Sequence, residues 1–403
     1  MTLTRGTLRD DLARAFGIGA EPGPPRLGLE VEAIPADVAT GQPAPVTRTL
    51  AALEPLGWAR QPCARSGMAE LHRPDGARLT FEPGGQLEYS SQPHTTGSAL
   101  IADVDAAFTA LCHALARDGL TLRMVGLDPV TPVADVPLQL DAPRYRRMDA
   151  YFASRGPWGR RMMRQTAAIQ VSIDAGPAPL DRWRVLGALA PVAAAMFANS
   201  PLDTGRLSGE RSTRRRIWAE LDPARTGLRG LARDPVAEYL DFALAAPAFL
   251  LGDDPARAQP FARWLSRGAT LDDWHTHLST LFPDVRPRGY FEFRVPDAAP
   301  GNAAAALLAL VAGIAWRADA AEAAARFPAP TPDLMARAAR HGLADPELAA
   351  AACTAVDLAL EGCAALGPAL LAPADLARAE QFFDEYPRAG RSPADDLTAA
   401  FAA

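Results

Sequence analysis

The sequence contains no lysine, and all 41 of its basic residues are arginine. Several enzyme classes depend on a lysine amine, among them P-loop nucleotide hydrolases, protein kinases and pyridoxal-phosphate enzymes that form a Schiff base. The missing amine therefore excludes these classes. A chain of this composition that handles a nucleotide must do so with metal ions, arginine side chains and backbone groups.

Cysteine and long apolar segments are also scarce. The four cysteines show no C-x-x-C spacing, which predicts reduced thiols and no structural zinc site. The longest apolar run, residues 303–316, is too short to span a bilayer. An acidic pair stands in the N-terminal segment where a secretion signal would be apolar. We therefore expect a cytoplasmic protein with no membrane segment; whether it is a monomer or a dimer stays open.

The net charge of −6 gives no reason to expect a nucleic-acid partner. A hydrophobic fraction of 49% and a charged fraction of 22% are ordinary for a globular chain. Strand and helix patterns do not alternate regularly, which favours an α+β fold with an antiparallel sheet. We expect one domain over residues 1–300 and an Ala-rich helical region over residues 301–403, packed on it.

Hydrophobic periodicity gives coarse expectations for the secondary structure. Helices are predicted over residues 2–16, 48–56, 98–118, 145–154, 180–198 and 234–249. Strands are predicted around residues 27–32, 77–91, 121–127, 162–174 and 290–295. The arginine-rich segment 208–227 is predicted to be irregular.

Four predicted strands carry acids or amides on one face and apolar residues on the other. The polar sets are Glu30 and Glu32; Gln86, Glu88 and Ser90; Gln170, Ser172 and Asp174; Glu292 and Arg294. Two ionised carboxylates about 6.6 Å apart on one strand face repel by roughly 2.5 kcal/mol at an effective dielectric near 20. A divalent metal ion is the natural counter-charge. One such strand is more often a solvent-facing surface, but recurrence in four segments favours a site.

The stretch LTFEPGGQLEYSSQP interrupts its strand with Pro83, Gly84 and Gly85. A bulge is the simple interpretation of this break. As a hypothesis, the break bends the chain so that Glu82 and Glu88 reach the same metal cluster, since glycine permits backbone angles and close approaches that other residues do not.

The segment RSTRRRIWAELDPARTG supplies complementary positive charge. Its arginines cannot lose their protons and bind carboxylate or phosphate through two parallel hydrogen bonds. Acid-rich strands beside such arginines describe a phosphoryl-transfer site without lysine. His275 and His277 could be metal ligands, although histidines at a helix end are commoner.

These residues resemble a known family, the glutamate–cysteine ligases of the plant and proteobacterial type, and especially their actinobacterial relatives in the ergothioneine pathway. The family's G-x-E-x-E pattern stands at residues 28–32, and its E-P-G-G-Q-x-E-x-S pattern at 82–90. Four further patterns follow in order: M-M-x-x-T-A-x-x-Q-V-x-x-D at 162–174, A-N-S-P at 198–201, G-x-x-S-x-R-x-x-x-W-x-x-x-D-x-x-R-T at 209–226, and H-L-x-x-x-F-P-x-V-R with Y-x-E-x-R-x-x-D at 277–297.

The resemblance implies a glutamine-synthetase-like fold in residues 1–300, whose antiparallel sheet forms a concave active site covered by helices. It implies ATP and Mg²⁺ as cofactors and glutamate and cysteine as substrates. The implied reaction forms γ-glutamylcysteine through a γ-glutamyl phosphate, the first step of a thiol pathway leading to ergothioneine or glutathione.

The resemblance also implies roles for thirteen residues. The implied metal ligands are Glu30, Glu32, Glu82, Glu88 and Glu292. The implied catalytic residues are Arg214, Arg225 and Arg294. The implied substrate-binding residues are Gln86, Thr166, Gln170, Trp218 and Arg286.

Three alternatives stay open at this point. A related carboxylate–amine ligase would use the same phosphoryl-transfer site with another amine. A guanidino kinase would also use arginine and magnesium without lysine. A non-catalytic protein would use the arginines to bind a nucleic acid or an acidic partner, but it would have no need to keep five acids together.

Overall fold

The computed structural model of the protein describes residues 3–21, 23–63, 67–227 and 232–403. The strands described are β1 Leu27–Asp37, β2 Ala59–Pro62, β3 Ala69–His72, β4 Arg78–Phe81, β5 Leu87–Ser90, β6 Leu120–Arg123, β7 Ile169–Asp174, β8 Leu202–Asp203, β9 Arg206–Leu207, β10 Val285–Pro287 and β11 Tyr290–Phe293. Nine of them form one antiparallel sheet in the order β10-β11-β7-β1-β5-β4-β3-β2, with β6 paired to the second half of β1. Strands β8 and β9 form a separate small hairpin.

Helices make up most of the remaining described structure. Those before the last sheet strands are α1 Arg5–Ala15, α2 Val46–Leu53, α3 Gly97–Arg117, α4 Pro143–Ala153, α5 Trp158–Gln165, α6 Pro179–Met196, α7 Thr213–Leu221, α8 Pro223–Thr226, α9 Pro235–Ala245, α10 Ala262–Leu265 and α11 Leu271–Leu278. Those after them are α12 Ala303–Ala315, α13 Ala320–Ala324, α14 Pro332–His341, α15 Pro346–Leu366, α16 Pro373–Glu385 and α17 Pro393–Ala402. An α+β fold with a large antiparallel sheet is therefore confirmed.

The two faces of the sheet follow the alternation of the sequence. In β1, Leu27, Leu29 and Val31 are buried in the hydrophobic core, whereas the side chains of Glu30 and Glu32 project from the opposite face. Helix α3 packs on β1, and α12 packs on β7. The apolar face thus faces helices, and the other face is left for polar side chains.

The Ala-rich C-terminal region is helical, as predicted. Helix α12 is apolar on all sides and almost wholly buried, as expected for a helix in the middle of a core. It packs against α15 and α16 on one side and α6 on another, and its residues belong to the same hydrophobic cluster as the sheet. The core is therefore continuous across residue 300.

The arginine-rich segment is helical from Thr213, so the prediction of irregular structure is wrong for residues 213–226 and confirmed for residues 208–212. The Ser212 hydroxyl accepts the N–H of Arg215 and caps α7, and the Asp222 carboxylate caps α8. Arginine is a good helix former, but Arg214 and Arg215 occupy buried positions that apolar residues usually fill. The apolar periodicity that signals a helix is therefore hidden.

The strand predicted over residues 162–174 is shorter than expected. Residues 162–165 form the last turn of α5, and β7 begins only at Ile169. Thr166 marks the change, because its backbone is extended, with φ −92° and ψ 149°, and its hydroxyl donates to the Met162 carbonyl at 2.7 Å. All four cysteines are free thiols, in agreement with the sequence.

Two described helices are long and apolar enough by composition to cross a bilayer, α3 and the segment Pro346–Ala369. Composition of this kind is weak evidence, since core helices of globular proteins share it. Here α3 lies against α2 and β6, and α15 lies against α12. The absence of a membrane segment stays a prediction.

Candidate active site

Strand register brings the acids of the polar face together. Glu30 of β1 is paired with Ser90 of β5 and with Gln170 of β7, and Glu32 is paired with Glu88. Side chains of directly paired residues in antiparallel strands are neighbours on one face. Three glutamates therefore form a patch at the middle of the sheet, as their positions in the sequence predict.

A cavity of about 260 Å³ lies over this patch. We call it the central cavity. Ten of the thirteen predicted site residues line it: Glu30, Glu32, Glu82, Gln86, Glu88, Thr166, Gln170, Trp218, Arg286 and Arg294. The other three, Glu292, Arg214 and Arg225, do not.

Glu32 is fixed by the neighbouring strand. Its carboxylate accepts the N–H of Ala168 at 2.7 Å and the Nε2 of Gln170 at 3.1 Å. Burial, followed by the nearby carboxylates of Glu82 and Glu88, raises the pKa of Glu32 to about 8, although Arg214 and the Ala168 N–H oppose the shift. Around Glu32, burial and the neighbouring carboxylates therefore outweigh the opposing arginine and backbone N–H.

The pKa of Glu30 is raised for similar reasons. Burial, followed by repulsion from Glu88 and Glu292, raises its pKa well above the ordinary value, and Arg286 and Arg294 only partly oppose this. Among the residues that the structure describes, Glu30, Glu32 and Glu88 form no ion pair with an arginine. We call these three glutamates the acidic end of the polar face.

Glu292 lies at what we call the paired end, with Arg286 and Arg294. Its carboxylate accepts Arg286 Nε at 2.5 Å and a second Arg286 nitrogen at 2.9 Å, and Arg294 lies 3.2 Å away. Burial works against ionisation of Glu292, but these guanidinium groups outweigh it and lower the pKa below the usual range. Glu292 is buried and paired, so it anchors two arginines, and its role as a metal ligand stays a prediction.

Arg214 lies behind the cavity wall. Its side chain is 2% exposed and donates to the carbonyls of Val295 at 2.8 Å and Arg294 at 3.0 Å. Its guanidinium stacks 4.6 Å from the ring centre of Trp218, which does line the cavity. Arg214 therefore supports Trp218 and the end of β11, and its catalytic role stays a prediction.

Arg225 is a core residue and does not reach the cavity. Its guanidinium donates to the Thr280 carbonyl at 3.0 Å, to the Thr280 hydroxyl at 2.8 Å and to the Pro247 carbonyl. It also stacks against Tyr151 and Phe249, at 4.7 and 4.3 Å from their ring centres. These contacts join Arg225 to the loops after α9 and α11 and to helix α4, and its contact with phosphate or substrate stays a prediction.

Other residues at the cavity were missed from the sequence. Arg78, Arg144 and Arg288 add positive charge to its lining, and Tyr145 and Met148 add apolar surface. Arg78 precedes Thr80 by two residues on β4, so strand alternation could have placed it on the polar face. Arg144 and Arg288 lie in a helix and a turn, where no periodicity marks them.

The histidine pair does not form a metal centre. The Nε2 of His277 lies 2.8 Å from the Ala243 carbonyl, and that of His275 lies 3.1 Å from Asp11. In the described parts of the chain, no three His, Cys, Asp or Glu side chains converge as a preformed metal cage.

The acidic end nevertheless fits Mg²⁺. This ion prefers oxygen ligands and is usually held by one or two carboxylates together with phosphate oxygens and water, so no complete protein cage is required. Gln170 Oε1 is buried and has no hydrogen-bond partner, which leaves one more oxygen acceptor there. A bound cation would offset the mutual repulsion of these carboxylates.

Two further cavities adjoin the central one. One, of about 440 Å³, shares Glu30 and Arg78 with it. The other, of about 450 Å³, shares Ser279, Arg286 and Arg288. Open space therefore continues beyond the central cavity on two sides.

Comparison with known proteins adds independent information. Residues 26–402 match the model of a family described as glutamate–cysteine ligase family 2. The glutamate–cysteine ligase EgtA of Mycolicibacterium smegmatis is 36% identical over 342 residues, which cover 81% of this chain and 78% of that protein. EgtA of Mycobacterium tuberculosis is 34% identical over 398 residues, or 93% of this chain and 85% of that protein.

Solved structures show the same fold. The glutamate–cysteine ligase of Francisella tularensis, in complex with AMP, superposes with a TM-score of 0.55 at 13% identity and covers 93% of this chain and 84% of that one. A bifunctional glutathione synthetase from Pasteurella multocida superposes with a TM-score of 0.53 at 14% identity and covers 99% of this chain and 52% of that one. On the family match and the two EgtA relatives, this chain belongs to the glutamate–cysteine ligase family 2.

Proposed function

We propose that this protein uses ATP to join the γ-carboxylate of glutamate to the amine of cysteine. The observation that carries the proposal is the acidic end of the polar face, where Glu30, Glu32 and Glu88 form no ion pair with any described residue. These glutamates line a cavity that Arg286 and Arg294 also line. A site with this combination suits a transfer of phosphate between two anions.

The reaction has two steps that balance. A γ-carboxylate oxygen of glutamate attacks the γ-phosphorus of ATP, the bond to the β-phosphate oxygen breaks, and ADP leaves. The amine of cysteine then attacks the acyl carbon, loses a proton, and releases phosphate from γ-glutamyl phosphate.

Glu30, Glu32, Glu82 and Glu88 would hold the Mg²⁺ ions. When bound, Mg²⁺ draws off negative charge from the phosphates. The protein's part is to keep these carboxylates in place. The Ala168 N–H and the Gln170 amide hold Glu32, and the hydroxyls of Thr80 and Ser90 donate to Glu88 at 3.1 and 3.2 Å.

The arginines would bind the anionic groups that react. Glu292 holds Arg286 and Arg294 in position. Their positive charges are therefore already in place at the cavity before a substrate binds. Arg288 and Arg78 lie where the central cavity meets its two neighbours and suit phosphate or substrate carboxylate groups. Gln86 and Gln170 would orient the glutamate.

The apolar side chains that line the central cavity would protect the acyl phosphate from water. Tyr145, Met148, Met162, Met163 and Trp218 are buried and all line the cavity. An apolar wall excludes water from a reactive intermediate. Thr166 and Trp218 would shape the space for the amino acids.

The test is a product assay with an isotope. Purified protein is incubated with ATP, Mg²⁺, cysteine and glutamate labelled with ¹⁸O in its γ-carboxylate, and products are analysed by mass spectrometry. We expect γ-glutamylcysteine, ADP and phosphate that carries one ¹⁸O atom. Failure to release ADP with any amino-acid pair at high protein concentration would contradict the ligase assignment, and phosphate without label would contradict the acyl phosphate step.

We further propose that the product enters a low-molecular-weight thiol pathway, leading to ergothioneine or glutathione. The second candidate function is ligation of glutamate to another amine, because the phosphoryl-transfer residues would be unchanged. Running the same assay with a panel of amino acids and amines separates the two. A kcat/KM for another amine that exceeds the value for cysteine would favour the second.

A further inference from the structure

Gln139 lies in the loop before α4, outside the central cavity, and holds the turn formed by residues 83–85. Its backbone N–H donates to the Pro83 carbonyl at 2.8 Å, and its Nε2 donates to the Gly84 carbonyl at 2.7 Å. Its Oε1 accepts the N–H of Val46 at 2.7 Å. Val46 begins α2, and Pro45 before it provides no side-chain cap. One amide thus joins the turn to a helix terminus.

The turn is also confined on its other side by α5. A Cβ on Gly84 would lie 2.1 Å from the Arg164 carbonyl oxygen, and one on Gly85 would lie 2.3 Å from Gln139 Nε2. Gly85 has a φ of 95°, which only glycine adopts readily. The two glycines are therefore required by the close approach of Arg164 and Gln139.

This turn connects two residues that line the central cavity, Glu82 and Gln86. The Glu82 N–H donates to the Gln86 carbonyl at 2.8 Å, and the Gly84 N–H donates to Gln86 Oε1 at 3.1 Å. Gln86 Nε2 in turn donates to the Thr166 carbonyl at 2.8 Å. A displacement of the turn would therefore move Glu82 and Gln86 together.

We propose that Gln139 is a positioning residue for the ligation reaction, resting on the function proposed above. It touches neither substrate nor metal. It fixes the 83–85 turn against α2, and through the turn it sets the positions of Glu82 and Gln86. Loss of groups that orient metal ligands in this indirect way costs about 10- to 100-fold in metal affinity or activity.

Two substitutions separate this role from a general effect on folding. Gln139→Met removes both side-chain hydrogen bonds at similar length. Gln139→Glu keeps an oxygen that accepts from the Val46 N–H but cannot donate to the Gly84 carbonyl. For each variant we measure Tm, kcat, the KM for cysteine and the Mg²⁺ concentration at half-maximal rate.

We expect both variants to lose about 10- to 100-fold in kcat and to need more Mg²⁺, with the KM for cysteine unchanged. The Gln139→Glu variant should keep a Tm close to that of the unmodified protein, because the α2 terminus stays capped. If Gln139→Glu has normal kcat and normal Mg²⁺ dependence, the proposal is wrong. It is also wrong if the losses only follow the fraction of unfolded protein.

Gln42 provides a matched control. Its Oε1 accepts one hydrogen bond, from the Thr131 hydroxyl at 3.1 Å, and it does not line the central cavity. Gln42→Met should therefore leave kcat and the Mg²⁺ dependence unchanged. A loss as large as that of Gln139→Met would mean that any lost glutamine contact in this part of the chain has the same effect.

A structural measurement keeps the inference independent of the ligase assignment. Amide hydrogen exchange in a peptide covering residues 79–91 should be faster in both Gln139 variants and unchanged in Gln42→Met. If the unmodified protein makes no γ-glutamylcysteine, the proposed function fails, and this exchange still decides whether Gln139 holds the turn. Unchanged exchange in both Gln139 variants would overturn the inference.

Discussion

The acidic end and the paired end of the polar face use the same residue types in opposite ways. At the paired end, Glu292 is enclosed by Arg286 and Arg294, and its pKa is lowered. At the acidic end, Glu30 and Glu32 lie with other glutamates, and their pKa values are raised. The paired end lies on β10 and at the end of β11, the acidic end lies on β1 and β5, and β7 separates them in the same sheet.

This difference in pKa separates carboxylates that stabilise the fold from carboxylates that are suited to bind a ligand. A buried carboxylate with two guanidinium partners is complete, and removing a partner destabilises the fold. Carboxylates that repel one another in a cavity are incomplete, and a cation would stabilise them. The family assignment agrees with this division and favours a ligase over the guanidino kinase and the non-catalytic binding protein.

The largest effect is expected at the paired end. Arg286→Met removes both hydrogen bonds of Glu292 to that guanidinium, so the buried carboxylate keeps only Arg294. We expect the free energy of unfolding to fall by about 3–5 kcal/mol, measured by urea denaturation. Arg257→Met, at an exposed arginine, should change it by less than about 0.5 kcal/mol. Equal losses in both variants would contradict the account.

The second effect is expected at the acidic end and concerns turnover. Glu88→Gln keeps the acceptor for the Thr80 hydroxyl but removes a negative charge from the cavity. We expect kcat to fall by about 10²- to 10³-fold while urea unfolding stays cooperative. The exposed Glu322→Gln serves as control and should be fully active. Near-normal turnover in Glu88→Gln would remove Glu88 from the proposed metal ligands.

The third effect is stabilisation by ligands. Mg²⁺ with a non-hydrolysable ATP analogue at about one hundred times its Kd should stabilise the unmodified protein by about 2.7 kcal/mol, because only the folded state binds it. In Glu32→Gln the same concentrations should stabilise less. The comparison would fail if Arg257→Met and Glu32→Gln gave the same reduced stabilisation.

The smallest effect concerns the extent of the site. Gly28 lies on the polar face beside Ser172, and a Cβ there would meet only ordinary contacts at 3.7 Å. Gly28→Ala should therefore fold with unchanged or slightly higher Tm, since glycine weakens a strand. If substrates occupy the adjoining cavity that shares Glu30 and Arg78 with the central one, the added methyl should raise a substrate KM about tenfold. Unchanged KM values for ATP, glutamate and cysteine would confine the substrates to the central cavity.

Much of this arrangement could be predicted from the sequence, because its signals are local. Residues two apart on a strand share a face, which placed Glu30 with Glu32 and Gln86 with Glu88. The family motifs then identified the family, which is confirmed. The same alternation in Tyr290, Glu292 and Arg294 indicated the last sheet strand.

The rest depends on distant contacts that no local pattern records. Arg214 and Arg225 stand in a motif typical of phosphate binding, but their charge is used by carbonyls far along the chain, such as that of Val295 for Arg214. Glu292 has the same strand pattern as Glu30, and only the pairing of β10 with β11 places Arg286 beside it. Gln139 contacts Gly84 across 55 residues, and its loop has no periodicity.

The assignment of metal binding to the acidic end is tested most directly by Mn²⁺ titration, with free Mn²⁺ followed by electron paramagnetic resonance in the presence of an ATP analogue. The unmodified protein should bind Mn²⁺, and Glu88→Gln and Glu32→Gln should bind it at least tenfold more weakly. Glu292→Gln, if folded, should retain the affinity. Loss of Mn²⁺ binding in Glu292→Gln, with normal binding in both acidic-end variants, would contradict the account.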